Sequence, residues 1–226
     1  MTDAVKRGYR SDLRSAQARE TKRRIVAAAA SLFVEQGFGA TTVDAIAEAA
    51  AVSRKTVFTA VGGKVDLLAL ALDWAIAGDD TPLTVAERPE VRALLALDDP
   101  VALLTEWARV LVQIDIRVAD LFAAMEAAAA LDPAARVVFE NSSAQRRDGA
   151  RLIVEAVDAL GGLARTLRRA EAVDIAWLLS DPVLYRRLVG TRGWSLDRFR
   201  DWLAATLRHQ LLDADSDGRP PKPERW

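Results

Sequence analysis

No Val-, Ile-, Thr- or Tyr-rich run long enough for a strand lies between turn signals anywhere in this chain, and its apolar residues return instead at three- and four-residue intervals. Ala is abundant, while Gly (12) and Pro (8) are sparse among the 226 residues, which shifts the balance further towards helix. The expected fold class is therefore all-α. A chain of this length can carry a small N-terminal module on a larger helical core.

Composition narrows the chemistry. No cysteine occurs, so disulfides, thiol catalysis and thiolate metal sites are excluded, and a reducing, cytoplasmic location is the expectation. No apolar stretch follows the charges of residues 1–7, and every later apolar run is broken by charge short of a membrane span. Neither export nor a membrane partner is expected. The net charge of −1 conceals an asymmetry. Residues 1–65 hold eleven Lys/Arg against six Asp/Glu, and residues 66–226 hold twenty against twenty-six. A basic first quarter on an acidic remainder points to a polyanion at one end only.

Residues 1–19 show no sustained period and read as a flexible basic arm. Ile25, Ala29, Leu32 and Phe33 then form a helical stripe that Gly37 stops. Thr41 with Asp44 resembles a capping box, and Val43, Ile46, Ala47 and Ala50 supply the buried face of a short second helix. Ala51-Val52-Ser53 breaks the period, and Ser53 caps a third short helix that runs to Val61 before Gly62-Gly63. A helix over 64–77 and a loop to Asp99 follow. Asp99-Pro100 and Asp132-Pro133 each read as an N-cap with Pro at the first helical position, opening helices to Leu131 and to Gly161-Gly162. Shorter helices are expected over 168–179 and from 182 to Val189, with a last one from Ser195 to about Leu212. The expected domains are the arm (1–19), a helix-turn-helix module (20–65), a helical domain (66–212) and a disordered tail (213–226).

Two short helices joined by a tight turn, the second opening with cationic and hydroxyl residues, describe a helix-turn-helix whose second helix enters the major groove. Here that helix begins Ser53-Arg54-Lys55-Thr56. Its hydroxyls, charges and free N–H groups suit phosphates and base edges, and Arg54 suits a bidentate pair with guanine. A tight three-helix bundle with a merely basic surface is the bland alternative.

In order and spacing these residues resemble the TetR family of transcriptional regulators. The resemblance runs through Arg23-Arg24-Ile25-Val26, Leu32-Phe33-Val34-Glu35-Gln36-Gly37-Phe38, Thr41-Thr42-Val43-Asp44-Ala45-Ile46-Ala47, Val52-Ser53 and Lys64-Val65-Asp66-Leu67-Leu68. The run from Trp177 to Arg186 with Gly193-Trp194-Ser195 is similar to the end of many members. Ala51 stands where the family usually has Gly, and Val61-Gly62-Gly63-Lys64 where it usually has Phe-Pro-Ser-Lys. Ala60 offers no phosphate contact where the family has Tyr or His.

The resemblance implies DNA contacts from Thr42, Ser53, Arg54, Lys55, Thr56, Phe58 and Thr59, with Lys64 free for phosphate. It implies a homodimer on inverted-repeat, double-stranded operator DNA. It also implies a C-terminal cavity for a small apolar or amphipathic effector, for which Trp74, Trp107, Phe122, Met125 and Trp177 are candidates, with Gln113 or Arg117 as the polar contact. Aromatic and Met residues at helical spacing are more often plain core than pocket. In the last helix, Phe199, Trp202, Leu203, Thr206, Leu207 and Gln210 belong to a broad stripe, part of which is expected to meet the second copy.

No metal site, cofactor or catalytic group is expected. His209 is the only histidine, and Gly62-Gly63 and Gly161-Gly162 are isolated pairs rather than a phosphate loop. The leading expectation is a repressor released from its operator by an effector. A regulator that needs its ligand to bind DNA, a helical interaction protein whose basic module meets a protein or membrane surface, and an enzyme follow in that order.

Overall fold

The computed structural model describes residues 2–81 and 83–213, with side chains from Arg14 onward except at residue 86. Ten α-helices are present among them: α1 (Thr2–Ala40), α2 (Val43–Ala49), α3 (Arg54–Ala60), α4 (Lys64–Ala77), α5 (Pro89–Leu95), α6 (Pro100–Leu131), α7 (Pro133–Ala159), α8 (Arg169–Leu179), α9 (Pro182–Tyr185) and α10 (Leu196–Leu211). A 3₁₀ turn (Val85–Glu87) precedes α5, and a π-helical stretch (Arg186–Thr191) continues α9. No strand occurs among the described residues, as the periodicity predicts. No helix there is long and apolar enough to cross a membrane.

Asp-Pro pairs start three of these helices. Asp99 accepts from the N–H groups of Val101 and Ala102, Asp132 from Ala134 and Ala135, and Asp181 from Val183, while each following Pro fills a position whose N–H has no helical partner. Ser195 caps α10 through the N–H of Arg198.

Two expectations need correction. Residues 2–19 are helical and continuous with the first predicted helix. They lack an apolar stripe, yet consist mainly of good helix formers with one interior Gly and no Pro, so propensity carries a helix that periodicity could not reveal. The backbone leaves helical geometry at Gly37 (φ 78°, ψ 162°), where the stop was expected. The stretch 78–99 is not all loop, because α5 opens on Pro89 and buries Val91 and Leu94. The tail beyond Asp213 lies outside the described residues.

The chain divides into two compact units, Met1–Asp80 with Asp120–Glu140, and Thr81–Ala119 with Asn141–Trp226. The boundary expected at 65/66 falls inside the first of these units. In the first unit α1 packs on α2, α3 and α4 through a core of Ile25, Ala29, Phe33, Ile46, Val57, Leu67 and Leu68. Phe33 and Phe38 lie 5.7 Å apart by ring centroid. Arg19 and Arg23 on α1 both grip Asp80, at 2.6 to 2.9 Å, and the Asp80 side chain is only 5 % exposed. In the second unit Leu103, Leu104, Val154, Val157, Ala176, Phe199, Leu203 and Leu207 form one core. A Cβ at Gly162 would meet Pro100 at 2.5 Å, so only glycine lets that turn approach the start of α6.

Candidate nucleic-acid interface

The turn between α2 and α3 is built by backbone hydrogen bonds. Ala51 N–H donates to Glu48 and Val52 N–H to Ala47, the paired bonds of a Schellman motif, which requires a left-handed residue at Ala51. Ala51 has φ 52°, the one positive φ outside glycine among the described residues. Its Cβ costs about 1–2 kcal/mol in that conformation.

Caps then aim α3. The N-cap of α2 is Thr42, accepting from Ala45 N–H at 3.1 Å, rather than the expected Thr41. Thr41 is buried and donates its hydroxyl to the carbonyls of Leu32 and Gly37. Ser53 caps α3 by accepting from Thr56 N–H at 3.1 Å, and the two hydroxyls lie 2.8 Å apart. Val57 is fully buried, while Ser53, Arg54, Lys55, Phe58 and Thr59 are exposed. Thus α3 is held by one residue and shows most of its polar set to solvent. Thr56 is half-buried, and the Thr59 hydroxyl turns back onto the Lys55 and Thr56 carbonyls.

Arg54 is oriented from two sides. Its guanidinium donates to Asp44 on α2 at 2.6 Å and stands 5.5 Å from the Phe58 ring centroid. Asp44, read from the sequence as half of a capping box, is the positioning residue that sequence reasoning missed. The signal was weak, because contact between α2 and α3 had to be known first.

Lys64 does not behave as expected. Its ammonium donates to the Phe38 carbonyl at 2.7 Å and lies 4.1 Å over the Phe38 ring, so it ties the start of α4 to the end of α1. A half-buried, engaged ammonium is not free for phosphate. The preceding Gly62 (φ 132°) sits where a Cβ would fall 2.4 Å from the Asp66 carboxylate, which explains glycine in place of a bulkier turn residue.

Residues 25–71 match the family model described as bacterial regulatory proteins, tetR family. Residues 25–71 carry the N-terminal module of that family. No curated protein matches it. Solved structures share its fold. A protein of Saccharomonospora viridis described as a transcriptional regulator, in complex with choline, is 19 % identical with a TM-score of 0.63, over 86 % of this chain and 98 % of its own. One from Rhodococcus sp., described as a TetR-family transcriptional regulator, is 18 % identical with a TM-score of 0.66, over 85 % and 98 %. NalD of Pseudomonas aeruginosa, the secondary repressor of the MexAB-OprM multidrug efflux pump, is 18 % identical with a TM-score of 0.65, over 87 % and 99 %.

Within this TetR-type fold, the expected effector residues divide between the two units. Trp74, Phe122 and Met125 lie in the first, where Phe122 and Met125 are buried and Phe122 packs on Phe139 at 5.6 Å. Trp107, Gln113, Arg117 and Trp177 lie in the second, with Trp107 in its core. Gln113 and Arg117 require correction as interior polar contacts. They sit four apart on the solvent face of α6, and Arg117 donates to the Gln113 carbonyl at 2.6 Å. The polar residue on the buried face is Asp115.

The dimer stripe is corrected too. Phe199, Leu203 and Leu207 are fully buried within their own chain and cannot meet a second copy. Trp202 and Thr206 are half-buried and Gln210 is exposed. Trp202 packs edge-on against Trp194 at 6.0 Å. On the adjoining α8, Leu178 is 59 % exposed.

Proposed function

We propose that this protein is a homodimeric repressor of the TetR type, holding an inverted-repeat operator through α3 and releasing it when a small molecule occupies the second unit. The observation that carries the DNA reading is the Ser53-capped helix α3, buried at Val57 and exposing Arg54, Lys55 and Phe58 along one face. Arg54 reads a base, by the geometry that suits its fork to guanine; Lys55, Thr42 and Ser53 position the backbone. The repressor and effector roles are supported by the fold shared with NalD and with a choline-bound protein. The dimer surface is the exposed side of the packed pair α8 and α10, with Leu178, Trp202, Thr206 and Gln210.

A two-fold dimer reads half-sites about one helical turn apart, roughly 34–36 Å, or a multiple of it. The test selects operator from random DNA, then inserts half a turn between half-sites. Retained affinity for the lengthened site overturns the paired geometry. Effector affinity is then measured with and without operator. Linkage requires equal and opposite coupling, typically about 5–150-fold, and equal affinities in the two titrations overturn induction. Leu178→Glu with Trp202→Glu yields monomer in sedimentation; an unaltered dimer moves the interface elsewhere.

A further inference from the structure

Along α6, Leu104, Ala108, Leu111, Asp115 and Val118 follow one another at alternating intervals of four and three, the spacing of a buried stripe. Asp115 is the only charged residue among them, and it is 4 % exposed. Among the described residues no hydrogen bond reaches its carboxyl group. Burial, and secondarily the Asp181 carboxylate, push it up to about 8, against the pull of Arg146. An unbonded buried carboxyl is costly at a position where leucine would pack.

The neighbours do not relieve it. Arg146 on α7 spends its guanidinium elsewhere, donating to Asp181 at 2.7 Å and to the Trp177 carbonyl at 2.7 Å, with its Cζ 5.0 Å from the Trp177 ring. Arg146 and Asp181 neutralise each other, so ionised Asp115 leaves one negative charge without a counterion. A second polar group lies against Arg146. The Trp177 indole N–H, in contact with Arg146, is buried and has no acceptor among the described residues.

We propose that Asp115 anchors a binding site for a small organic monocation in the second unit, with the Trp177 indole N–H donating to an oxygen on the same ligand. The inference rests on the effector reading above and gives that effector a chemical class. The cation restores the charge balance and ionises Asp115, whose proton leaves to solvent, so one cation bound releases one proton. Asp181 at the start of α9 and Arg146 of α7 are the charged groups that act on Asp115, and neither supplies that proton.

Calorimetry on the full-length protein tests this with ethanolamine and tetramethylammonium as probes and ethylene glycol as a neutral control, in two buffers of different ionisation heat. Saturable cation binding is expected, tightening about tenfold per pH unit up to about pH 8, with a proton released. Asp115→Asn weakens cation binding on the order of tenfold or more and abolishes the proton release, whereas Asp115→Glu retains both in part. Trp177→Phe weakens ethanolamine and leaves tetramethylammonium unchanged. Failure of both cations to bind, or equal cation affinity and pH dependence in Asp115→Asn, overturns the site. Operator release is scored separately. Cations that bind through Asp115 yet leave the operator complex intact support the site and overturn induction; neutral compounds that release the operator while the cations do not bind support induction and overturn the site.

Discussion

The Asp44 carboxylate on α2 receives the Arg54 guanidinium of α3 at 2.6 Å, so the side chain best suited to a guanine is already held by a partner within its own domain. Both residues are largely exposed, and such a pair contributes little to stability, about 0–1 kcal/mol. Its value lies in direction. Asp44 limits where the Arg54 fork points, and under the proposed DNA reading it repels phosphate wherever the fork has no guanine to pair with. Asp44→Asn is expected to leave the melting temperature almost unchanged, to tighten binding to random DNA and to lower the ratio of operator to random affinity. Fluorescence anisotropy with both duplexes at one salt concentration measures this, and an unchanged ratio removes Asp44 from specificity.

Lys55 and Lys64 stand in contrasting surroundings, which makes them a test of phosphate contact against scaffold. Lys55 is exposed on α3, whereas Lys64 is bonded to Phe38. Lys55→Ala should reduce the slope of log affinity against log salt by about 1. Lys64→Ala should keep that slope and instead destabilise the first unit. A reduced slope in Lys64→Ala would restore it as a phosphate ligand.

This contrast shows where the sequence is legible. Helix starts at Asp99-Pro100, Asp132-Pro133, Asp181-Pro182 and Ser195 lie within one or two residues of a cap whose chemistry is local. The exposed face of α3 follows from Val57 as its single buried anchor. Lys64 was misplaced because its partner lies twenty-six residues away, at a carbonyl that no side-chain pattern advertises. Phe199, Leu203 and Leu207 were misplaced for a related reason: a stripe shows that a helix buries one face but not which chain covers it. Asp115 is legible as the charge that interrupts an apolar four-three spacing, whereas Gln113 and Arg117 fall outside that spacing and are exposed.

The left-handed Ala51 makes a stability prediction of its own. Ala51→Gly removes the clash of its Cβ, about 1–2 kcal/mol, and adds the entropy cost of glycine, about 0.5–1 kcal/mol. A net gain of about 0.5–1 kcal/mol in denaturant unfolding is expected, with operator affinity unaltered because the residue's side chain makes no part of the α3 face. A loss of stability would mean that the methyl group packs more favourably than the backbone strain costs.

The pH profile of stability should carry two slopes of opposite sign. Asp80, clasped by Arg19 and Arg23, is held far below the ordinary carboxylate range by those hydrogen bonds, and Glu87 and Glu171 are lowered by their bonds to Thr84 and Arg168. Such groups stabilise the fold above the pKa they have when unfolded, and that contribution is lost as the pH falls through their folded values. Asp115 acts in the other direction. Its folded value is raised to about 8, so in the folded state it stays protonated while the unfolded chain has already ionised. Stability is therefore complete below about pH 4 for this group and declines as the pH rises towards about 8, above which the loss is constant. Urea unfolding at fixed protein concentration, from about pH 5 to about pH 9, should show the wild-type midpoint falling while that of Asp115→Asn stays nearly level. The variant should equal or exceed the wild type at the alkaline end, since it replaces a buried ionised carboxylate by a neutral amide of the same shape. Below about pH 5 both proteins should lose stability together, and Asp80→Asn should lose less than either because position 80 then has no carboxylate to protonate, while Glu87 and Glu171 still do. Parallel alkaline slopes in wild type and Asp115→Asn would assign the decline to another group, such as Asp73, whose carboxyl is also raised by burial.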